Sequence, residues 1–146
     1  MPKRTISDVI AGRPLIHAEA SMTVRAAAVR MAECRIGALL ILDGDQIAGI
    51  FTERDALNKI LAAGLDPDKT TLGEVMVRHL QTIGADKPLA YALHMMAEGG
   101  FRHVPVVDAS GKALGMVSAR DALGQDMVDL ERDLRRLAEL ETSIGY

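Results

Sequence analysis

Two segments of the chain carry alanine, methionine and leucine so densely that they predict helices covered over most of their surface. These are residues 24–34 and residues 89–98, and we expect both to pack against a sheet. A shorter helix is predicted near the start of each half, where a threonine is followed three residues later by an acid. That spacing is typical of a capping box, which satisfies the free N–H groups of a helix's first turn. The pairs are Thr5 with Asp8 and Thr71 with Glu74.

Two β-rich runs follow each of the longer helices and predict one hairpin in each half. The runs are residues 36–42 and 46–51 in the first half, and residues 104–107 and 113–117 in the second. A further helix is predicted to begin after each hairpin, at Thr52 and at Ser118. The order helix, strand, helix, strand, strand, helix therefore occurs twice. We predict a mixed α/β fold of the α+β class, in which each half has a small sheet packed against helices.

A nine-residue phrase at the end of each hairpin occurs twice. Residues 49–57 read Gly-Ile-Phe-Thr-Glu-Arg-Asp-Ala-Leu, and the phrase returns 66 positions later as Gly-Met-Val-Ser-Ala-Arg-Asp-Ala-Leu. The repeat is too long for the common solenoid units, and two copies are too few for a stacked array. We therefore predict a tandem duplication whose halves close on each other with pseudo-twofold symmetry. The first repeat is placed at residues 5–64, the second at 71–123, and a C-terminal helical extension at 124–141.

Length and composition indicate one folded module. The chain has 146 residues and a mass of 15.7 kDa, so we expect the repeats to share one hydrophobic core and neither half to be stable alone. Hydrophobic residues make up 49% and charged residues 25%, a balance typical of a globular protein that folds without a partner. The net charge of −3 argues against nucleic acid as a partner, although a local basic pocket can still hold a small anion.

The single cysteine, Cys34, excludes an intrachain disulfide and a multi-cysteine metal site. Its place in an apolar helical run predicts a small buried hydrophobe. No pair of histidines has the spacing of metal ligands, so we expect no metal. No apolar run has the form of a signal sequence or approaches the roughly 20 residues of a membrane span, which predicts a cytoplasmic protein with no membrane partner.

A regular series of apolar residues continues beyond the second repeat. It is formed by Leu123, Met127, Leu130, Leu134 and Leu137. Their alternating spacing of four and three is typical of a coiled-coil seam, which needs another helix opposite it. Packing back on the same chain and homodimerisation both meet this need, and the length of the seam favours a homodimer.

The repeated phrase places a hydroxyl where a strand ends and a helix begins, with a carboxylate three residues later on the same face. The pairs are Thr52 with Asp55 and Ser118 with Asp121. Helix capping alone explains this pattern and stabilises a helix by about 1 kcal/mol. The alternative is a nucleotide site, in which the helix start and the hydroxyl receive a phosphate and the carboxylate accepts hydrogen bonds from a ribose diol. Arg54 and Arg120 would then balance the negative charge.

Together these features resemble a pair of CBS (cystathionine beta-synthase) domains, also called a Bateman module, over residues 5–123. The resemblance rests on the repeated Gly-x-x-Thr/Ser-x-x-Asp phrase, on the order of elements, and on the run Phe-Arg-His-Val-Pro-Val-Val-Asp at residues 101–108. It implies a regulatory, non-catalytic protein that binds an adenine nucleotide in clefts between its repeats. The ligands it implies are AMP, ADP, ATP, NAD(H) or S-adenosylmethionine, with no cofactor required, and the role of an energy or redox sensor.

The resemblance also implies roles for particular residues. The hydroxyls of Thr52 and Ser118 would face phosphate, and the carboxylates of Asp55 and Asp121 would face ribose. Backbone groups on two extended segments would hold the adenine. These segments contain Ile16, His17 and Ala18 in the first repeat, and Gln81, Thr82 and Ile83 in the second.

A basic pair, Arg102 and His103, precedes Val104 and Pro105 in the second repeat. The resemblance implies that this pair faces phosphate, while a solvated strand end is the simpler interpretation. The two residues align with Gly37 and Ala38 of the first repeat. We therefore expect the two clefts to differ in charge, affinity or occupancy.

No nucleophile with a base and an orienting group is evident, nor a phosphate-binding loop of the P-loop or dinucleotide type. The sequence therefore predicts no enzyme, and catalysis is the weakest hypothesis. The main alternative to a nucleotide sensor is a structural or protein-interaction module whose phrases only cap helices and whose last helix dimerises or recruits another protein. A sensor would also have a regulated partner protein, which the sequence does not identify.

Overall fold

A computed structural model of the protein describes residues 4–122 and 125–143 and, in the last helix, the side chains of residues 132–142. The first repeat contains α1 (Ile6–Ile10), β1 (His17–Ala18), α2 (Val24–Cys34), β2 (Ala38–Asp43), β3 (Gln46–Thr52) and α3 (Glu53–Asp55), which continues as a π-helical segment, Ala56–Leu61. The second contains α4 (Leu72–Val75), β4 (Ile83–Gly84), α5 (Leu89–Gly99), β5 (His103–Val107), β6 (Ala113–Ser118), a 3₁₀ turn (Ala119–Ala122) and α6 (Gln125–Ser143). The predicted order of elements and the mixed α/β class are confirmed.

The strands form two three-stranded sheets with the same topology, β1-β2-β3 and β4-β5-β6. In each sheet the short first strand pairs parallel with the second, and the second pairs antiparallel with the third as a hairpin. The first hairpin begins with Ala38 opposite Thr52, and the second begins with His103 opposite Ser118. The predicted alignment of His103 with Ala38 therefore holds in the structure.

Each repeat completes its core with the first helix of the other repeat. Ile6 and Val9 of α1 are buried with Val104 and Val117 of the second sheet. In the opposite direction, Leu72 and the residue after α4, Met76, are buried in the core of the first repeat. Because a sheet and a helix must each cover an apolar face, this exchange makes each repeat depend on the other.

Backbone hydrogen bonds hold the exchanged helices in equivalent positions. The N–H groups of Ile6 and Ser7 at the start of α1 donate to carbonyls just before α5, both at 2.9 Å. Those of Leu72 and Gly73 at the start of α4 donate to carbonyls just before α2, also at 2.9 Å. These N–H groups belong to the first turn of a helix and have no intrahelical partner, so the other repeat satisfies them.

The predicted capping box is confirmed in α1 and wrong in α4. The Thr5 hydroxyl accepts the Asp8 N–H at 3.2 Å, and the Asp8 carboxylate accepts the Thr5 N–H at 3.0 Å. In α4, the N–H of Glu74 instead donates to the backbone carbonyl of Thr71 at 3.2 Å. Within the described residues the Thr71 hydroxyl makes no capping bond, because α4 closes as a single tight turn that uses the carbonyl.

The core is divided, which corrects the expectation of one shared core. Each repeat has its own cluster of buried apolar residues, completed by the exchanged helix. A third cluster, of Ala38, Leu40 and Ile50, is packed by Leu80 and Met116 of the second repeat and joins the two halves. The instability of an isolated half stays a prediction, and the exchange of helices supports it.

Two predictions about the longer helices were wrong. One face of α2 is buried, at Val24, Ala27 and Met31, whereas Val29 is 48% exposed. Alanine counts as apolar but does not need to be buried, so the composition of α2 overestimated the share of its surface that packs against the protein. Cys34 is exposed rather than buried, because it occupies the last position of α2, beyond the buried face.

The last helix leaves its leucines uncovered where its side chains are described. Leu134 and Leu137 of the predicted seam are 57% and 56% exposed. Leu123 lies outside the described residues, and the side chains of Met127 and Leu130 also lie outside them. No helix in the described ranges has the length and apolar character that a membrane crossing requires.

The first glycine of the repeated phrase permits a close contact between the repeats. A Cβ atom at Gly49 would lie 2.7 Å from Sδ of Met76 and 2.8 Å from the Val77 carbonyl oxygen. That carbonyl is held in place, because it accepts the Ile50 N–H at 3.0 Å. At the equivalent Gly115, the nearest atom would be a side-chain carbon of α1 at 3.4 Å, an ordinary van der Waals distance.

We expect Gly49→Ala to destabilise the protein by about 1–3 kcal/mol, the usual cost of forcing a methyl group into a packed contact. Gly115→Ala is the matched control and should change the free energy of unfolding by less than about 0.5 kcal/mol. Urea denaturation of both variants measures the difference. Equal losses in the two variants would contradict the role assigned to Gly49.

Candidate functional site

Two clefts lie between the repeats, and each is built from three segments. The larger, cleft A, has a volume of about 520 Å³. It is lined by the first copy of the phrase at residues 52–55, the linker after α4 at residues 79–81, and residues 100–103 at the start of β5. Its volume lies within the range of about 300–1,000 Å³ that is typical of small-molecule sites.

Cleft B is related to cleft A by the pseudo-symmetry of the repeats and has a volume of about 370 Å³. It is lined by the second copy of the phrase at residues 118–120, the linker after α1 at residues 13–16, and residues 35–38 at the start of β2. Each cleft therefore combines the phrase of one repeat with a linker and a strand start from the other. A ligand in either cleft would contact both repeats.

In cleft A, the phrase forms the capping box that its spacing predicts. The Thr52 hydroxyl accepts the Asp55 N–H at 3.2 Å, and the Asp55 carboxylate accepts the Thr52 N–H at 3.0 Å. Lys59 Nζ lies 3.4 Å from the other carboxylate oxygen of Asp55. The Thr52 hydroxyl still has its own hydrogen to donate, so capping and anion binding are compatible.

In cleft B, the phrase is held by an arginine from the other repeat. Arg13 donates to both carboxylate oxygens of Asp121, at 2.6 and 3.1 Å, and the Ser118 N–H donates to the same carboxylate at 2.8 Å. Arg4 donates to the Asp121 backbone carbonyl at 2.8 Å. Two arginines that flank α1 therefore fix Asp121, which is 9% exposed.

The ion pair determines the charge of Asp121. Burial raises the pKa of its carboxyl group, but the hydrogen bonds from Arg13 and from the Ser118 N–H outweigh burial, and the pKa is lowered overall. The same contact raises the pKa of Arg13, chiefly through the hydrogen bonds to Asp121. Both groups are therefore charged at neutral pH.

Arg102 and His103 line both clefts, as do Gly37 and Glu53. Burial lowers the pKa of His103, and Arg102 lowers it further, whereas the charges of Glu53 and Asp121 raise it. The pKa is lowered overall, so the imidazole is neutral at pH 7. These shared side chains form a common wall between the clefts.

Arg35 holds an unusual backbone conformation at the edge of cleft B. Among the described residues it is the only non-glycine residue with a positive φ, 55°. It ends α2 in the left-handed conformation, and the equivalent end of α5 has Gly100 with a φ of 71°. Glycine is the usual residue there, because a side chain in this conformation costs roughly 1–2 kcal/mol.

The structure brings together most of the predicted site residues, and it leaves others outside the clefts. Cleft A contains Thr52, Arg54, Asp55, Gln81, Arg102, His103 and Pro105. Cleft B contains Ile16, Arg102, His103, Ser118 and Arg120, with Asp121 held behind Arg13.

The remaining predicted residues do not line a cleft in the described part of the chain. The side chains of Ala18, Ile83 and Val104 are buried in the hydrophobic cores. His17 and Thr82 are exposed, and the His17 carbonyl already accepts a hydrogen bond from Arg30 at 2.6 Å. A backbone group of these segments can contact an adenine only where it does not already make a hydrogen bond within the protein.

Arg13, Glu53 and His79 also line the clefts and were not among the predicted site residues. One signal in the sequence marks two of them. Arg13 and His79 are 66 positions apart, the same offset as the repeated phrase, so aligning the repeats places them at equivalent points of the two linkers. The local pattern around Arg13 has no feature that indicates Asp121 as its partner.

In residues 4–122 and the described part of α6, no group of three or more His, Cys, Asp or Glu side chains is arranged so that it could hold a metal ion.

Comparison with known proteins identifies the family. The CBS domain matches twice, at residues 6–62 and 72–126. The chain belongs to the CBS domain family and carries two tandem copies of the domain.

Curated relatives place this pair of domains in chains of different length. The chain is 38% identical over 96 residues to the meiotically up-regulated gene 70 protein of Schizosaccharomyces pombe, covering 66% of this chain and only 13% of that protein. It is 29% identical over 134 residues to an uncharacterized protein of Methanopyrus kandleri, covering 89% of this chain and 68% of that protein. It spans 18% of the CBS domain-containing protein CBSCBSPB1 of Arabidopsis thaliana. It therefore corresponds to a small part of several relatives.

Solved structures share the fold. A CBS domain protein from Pyrobaculum aerophilum, complexed with AMP, is 25% identical with a TM-score of 0.77, covering 88% of this chain and 97% of that one. The CBS domain pair of protein MJ0100, in complex with 5′-methylthioadenosine and S-adenosyl-L-methionine, is 30% identical with a TM-score of 0.72, covering 83% and 94%.

We expect Arg13→Gln to destabilise the protein by about 1 kcal/mol at pH 7. It removes the main partner of the nearly buried Asp121 carboxylate. The expected loss of stability is small for such a pair, because solvent screens the half-exposed Arg13. Because the pKa of Asp121 is lowered on folding, its stabilisation is present above the unfolded value of about 3.9 and is lost as the pH falls through the folded value. Urea denaturation at pH 7 and pH 3 should give a smaller difference in the free energy of unfolding between wild type and variant at pH 3 than at pH 7.

Arg25→Gln is the control, because it breaks an exposed ion pair with Asp68. Its effect at pH 7 should be smaller than that of Arg13→Gln. A deficit in Arg13→Gln that is as large at pH 3 as at pH 7 would show that the ion pair is not its cause.

Proposed function

We propose that this protein is a non-catalytic regulatory module that binds an adenine nucleotide in the clefts between its two CBS repeats. The observation that carries the proposal is the composition of cleft A, where Thr52, Asp55 and Arg102 surround a volume suited to a nucleoside. It is further supported by the ligands of two similar structures, AMP in one and adenosine derivatives in the other. The cytoplasm, where adenine nucleotides are abundant, is the location proposed with this role.

Each part of the nucleotide has a suitable counterpart in the cleft. The Thr52 hydroxyl and the Arg102 guanidinium suit a phosphate, because both donate hydrogen bonds to anionic oxygens. The Asp55 carboxylate suits the ribose diol, because an acid repels phosphate and accepts from hydroxyl groups. Backbone groups near Gln81 suit the adenine edge. In cleft B, Ser118 and Asp121 take the corresponding roles, and the ribose must share Asp121 with Arg13 or displace it.

A ligand bound in these clefts would change the arrangement of the two repeats, which is how the module would signal. Each cleft takes its lining from both repeats, so a bound nucleotide favours the relative placement of the repeats that fits it best. A ligand shifts a conformational equilibrium only through its difference in affinity for the two states, and couplings of about 1–3 kcal/mol are typical. We propose AMP, ADP, ATP or NAD(H) as the ligand, which makes the module a sensor of energy or redox state for a partner protein.

We expect a thermal shift with one or more of AMP, ADP, ATP, NAD⁺, NADH and S-adenosylmethionine. A ligand at 100 times its Kd stabilises the folded state by about 2.7 kcal/mol. Titration calorimetry then tests the site: Asp55→Ala should weaken a cleft A ligand by about 10- to 100-fold, the loss expected for hydrogen bonds to a charged group.

Asp8→Ala is the matched control, because Asp8 forms the same capping box in α1 and lies outside both clefts. It should lower stability, though by less than Asp55→Ala, which also loses the Lys59 contact, and leave the affinity unchanged. Wild-type affinity in folded Asp55→Ala and Asp121→Ala variants would refute the assignment of ribose to these acids. No thermal shift with any nucleotide at millimolar concentration would favour the interaction-module alternative.

A homodimer formed through α6 is the second part of the proposal. Leu134 and Leu137 are more than half exposed on a helix of 19 residues, so a second copy of the helix would cover them. The same surface would serve the interaction-module alternative.

We expect light scattering after size-exclusion chromatography to give a dimer for the wild type and a monomer for Leu134→Asp/Leu137→Asp. The variant should keep its nucleotide affinity, because both leucines lie outside the clefts. A monomeric wild type at tens of micromolar, or a double variant that remains dimeric, would contradict an α6 dimer.

A further inference from the structure

The two clefts differ sharply in the charge of their side chains. In the described residues, cleft A has two arginines, Arg54 and Arg102, against the carboxylates of Glu53 and Asp55. Cleft B has four arginines against two carboxylates, Glu53, which it shares with cleft A, and Asp121, which is paired with Arg13. Those arginines are Arg13, Arg35, Arg102 and Arg120. Cleft B is therefore the stronger site for an anion, although it is the smaller of the two.

The asymmetry arises at a few positions where the repeats diverge. Glu53 lines both clefts and so does not contribute to the difference, whereas Arg35 of cleft B corresponds to Gly100 of cleft A. In the linkers, Arg13 of cleft B corresponds to His79 of cleft A.

The backbone conformation of Arg35 marks a second difference between the clefts. This residue keeps a side chain at a left-handed position where the other repeat has Gly100. A residue other than glycine persists in this conformation only where the surrounding structure holds it there. Arg35 is among the residues that line cleft B, so it brings a positive charge to that cleft.

The existing contact of Arg13 shows which ligand geometry suits the cleft. Arg13 makes a two-point contact with the Asp121 carboxylate, at 2.6 and 3.1 Å. A phosphate presents a similar pair of anionic oxygens to a guanidinium, so Arg13 can exchange one for the other without changing its hydrogen-bonding pattern. Such an exchange would release Asp121 to accept from ribose hydroxyls.

We propose that cleft B is selective for a nucleoside di- or triphosphate, whereas cleft A takes adenosine or its monophosphate. This inference rests on the proposed function and adds the ligand class of each cleft. The four arginines of cleft B compensate the several charges of a polyphosphate, and Arg35 is the residue that adds to this selectivity without being needed by the fold. In cleft A, the balance of arginines and acids favours a ligand of low charge.

The test is the binding of ATP and of adenosine, each in magnesium-free buffer, to the wild type, Arg35→Gly and Asp55→Ala. Arg35→Gly should weaken ATP by 10-fold or more, leave adenosine within twofold, and keep or raise the melting temperature because glycine relieves the left-handed strain. Asp55→Ala should weaken adenosine and leave ATP within twofold. ATP affinity should also fall steeply with added salt, whereas adenosine affinity should not.

Arg25→Ala is the control for loss of one positive charge, since Arg25 lies outside both clefts and is exposed. It should change neither affinity. Arg120→Gln provides a second cleft B variant and should weaken ATP in the same way if Arg35→Gly fails to fold.

The outcomes separate this inference from the proposed function. If ATP and adenosine both bind, and ATP affinity is unchanged in Arg35→Gly or in Arg120→Gln, charge selectivity is overturned while the nucleotide-binding role stands. If neither ATP nor adenosine binds the wild type, the inference fails, and the proposed function fails with it only when AMP, ADP, NAD⁺, NADH and S-adenosylmethionine give no thermal shift either.

Discussion

The exchange of first helices between the repeats is the contact on which the rest of the structure depends. Helix α1 completes the second core and α4 completes the first, each held by paired backbone hydrogen bonds at 2.9 Å. The linker that leaves each exchanged helix then becomes one wall of a cleft: residues 13–16 in cleft B and residues 79–81 in cleft A. Without the exchange, neither cleft would have its linker wall, and Arg13 would not reach Asp121. The close approach at Gly49 belongs to the same contact.

Local sequence patterns predicted the elements, because capping, turns and hairpins depend on neighbouring residues. The order of elements, the capping box of Thr5 and the alignment of His103 with Ala38 all followed from such patterns. The exchange of helices and the Arg13–Asp121 pair did not, because they join residues far apart in the sequence, 108 positions for that pair. Cys34 was wrongly placed in the core because periodicity does not reveal where a sheet stops covering a helix.

The candidate site was predicted in outline through the repeated phrase, and its asymmetry was only partly foreseen. Capping explains the contacts of Thr52 and Asp55, and the same contacts would hold the hydroxyl and carboxylate in position for the proposed nucleotide. The sequence predicted that Arg102 and His103 make the clefts unequal, and this reason was wrong, because both residues line both clefts. The difference comes from Arg13 and Arg35, whose contributions depend on a long-range ion pair and on a left-handed backbone that residue type alone does not predict.

A crystal structure of the protein grown with AMP tests the central claim most directly. We predict density for the nucleotide in a cleft between the repeats, with the ribose hydroxyls within about 3.2 Å of the Asp55 or Asp121 carboxylate and the phosphate beside an arginine of the same cleft. A nucleotide bound outside both clefts, or bound in a cleft with its ribose turned away from these carboxylates, would contradict the account.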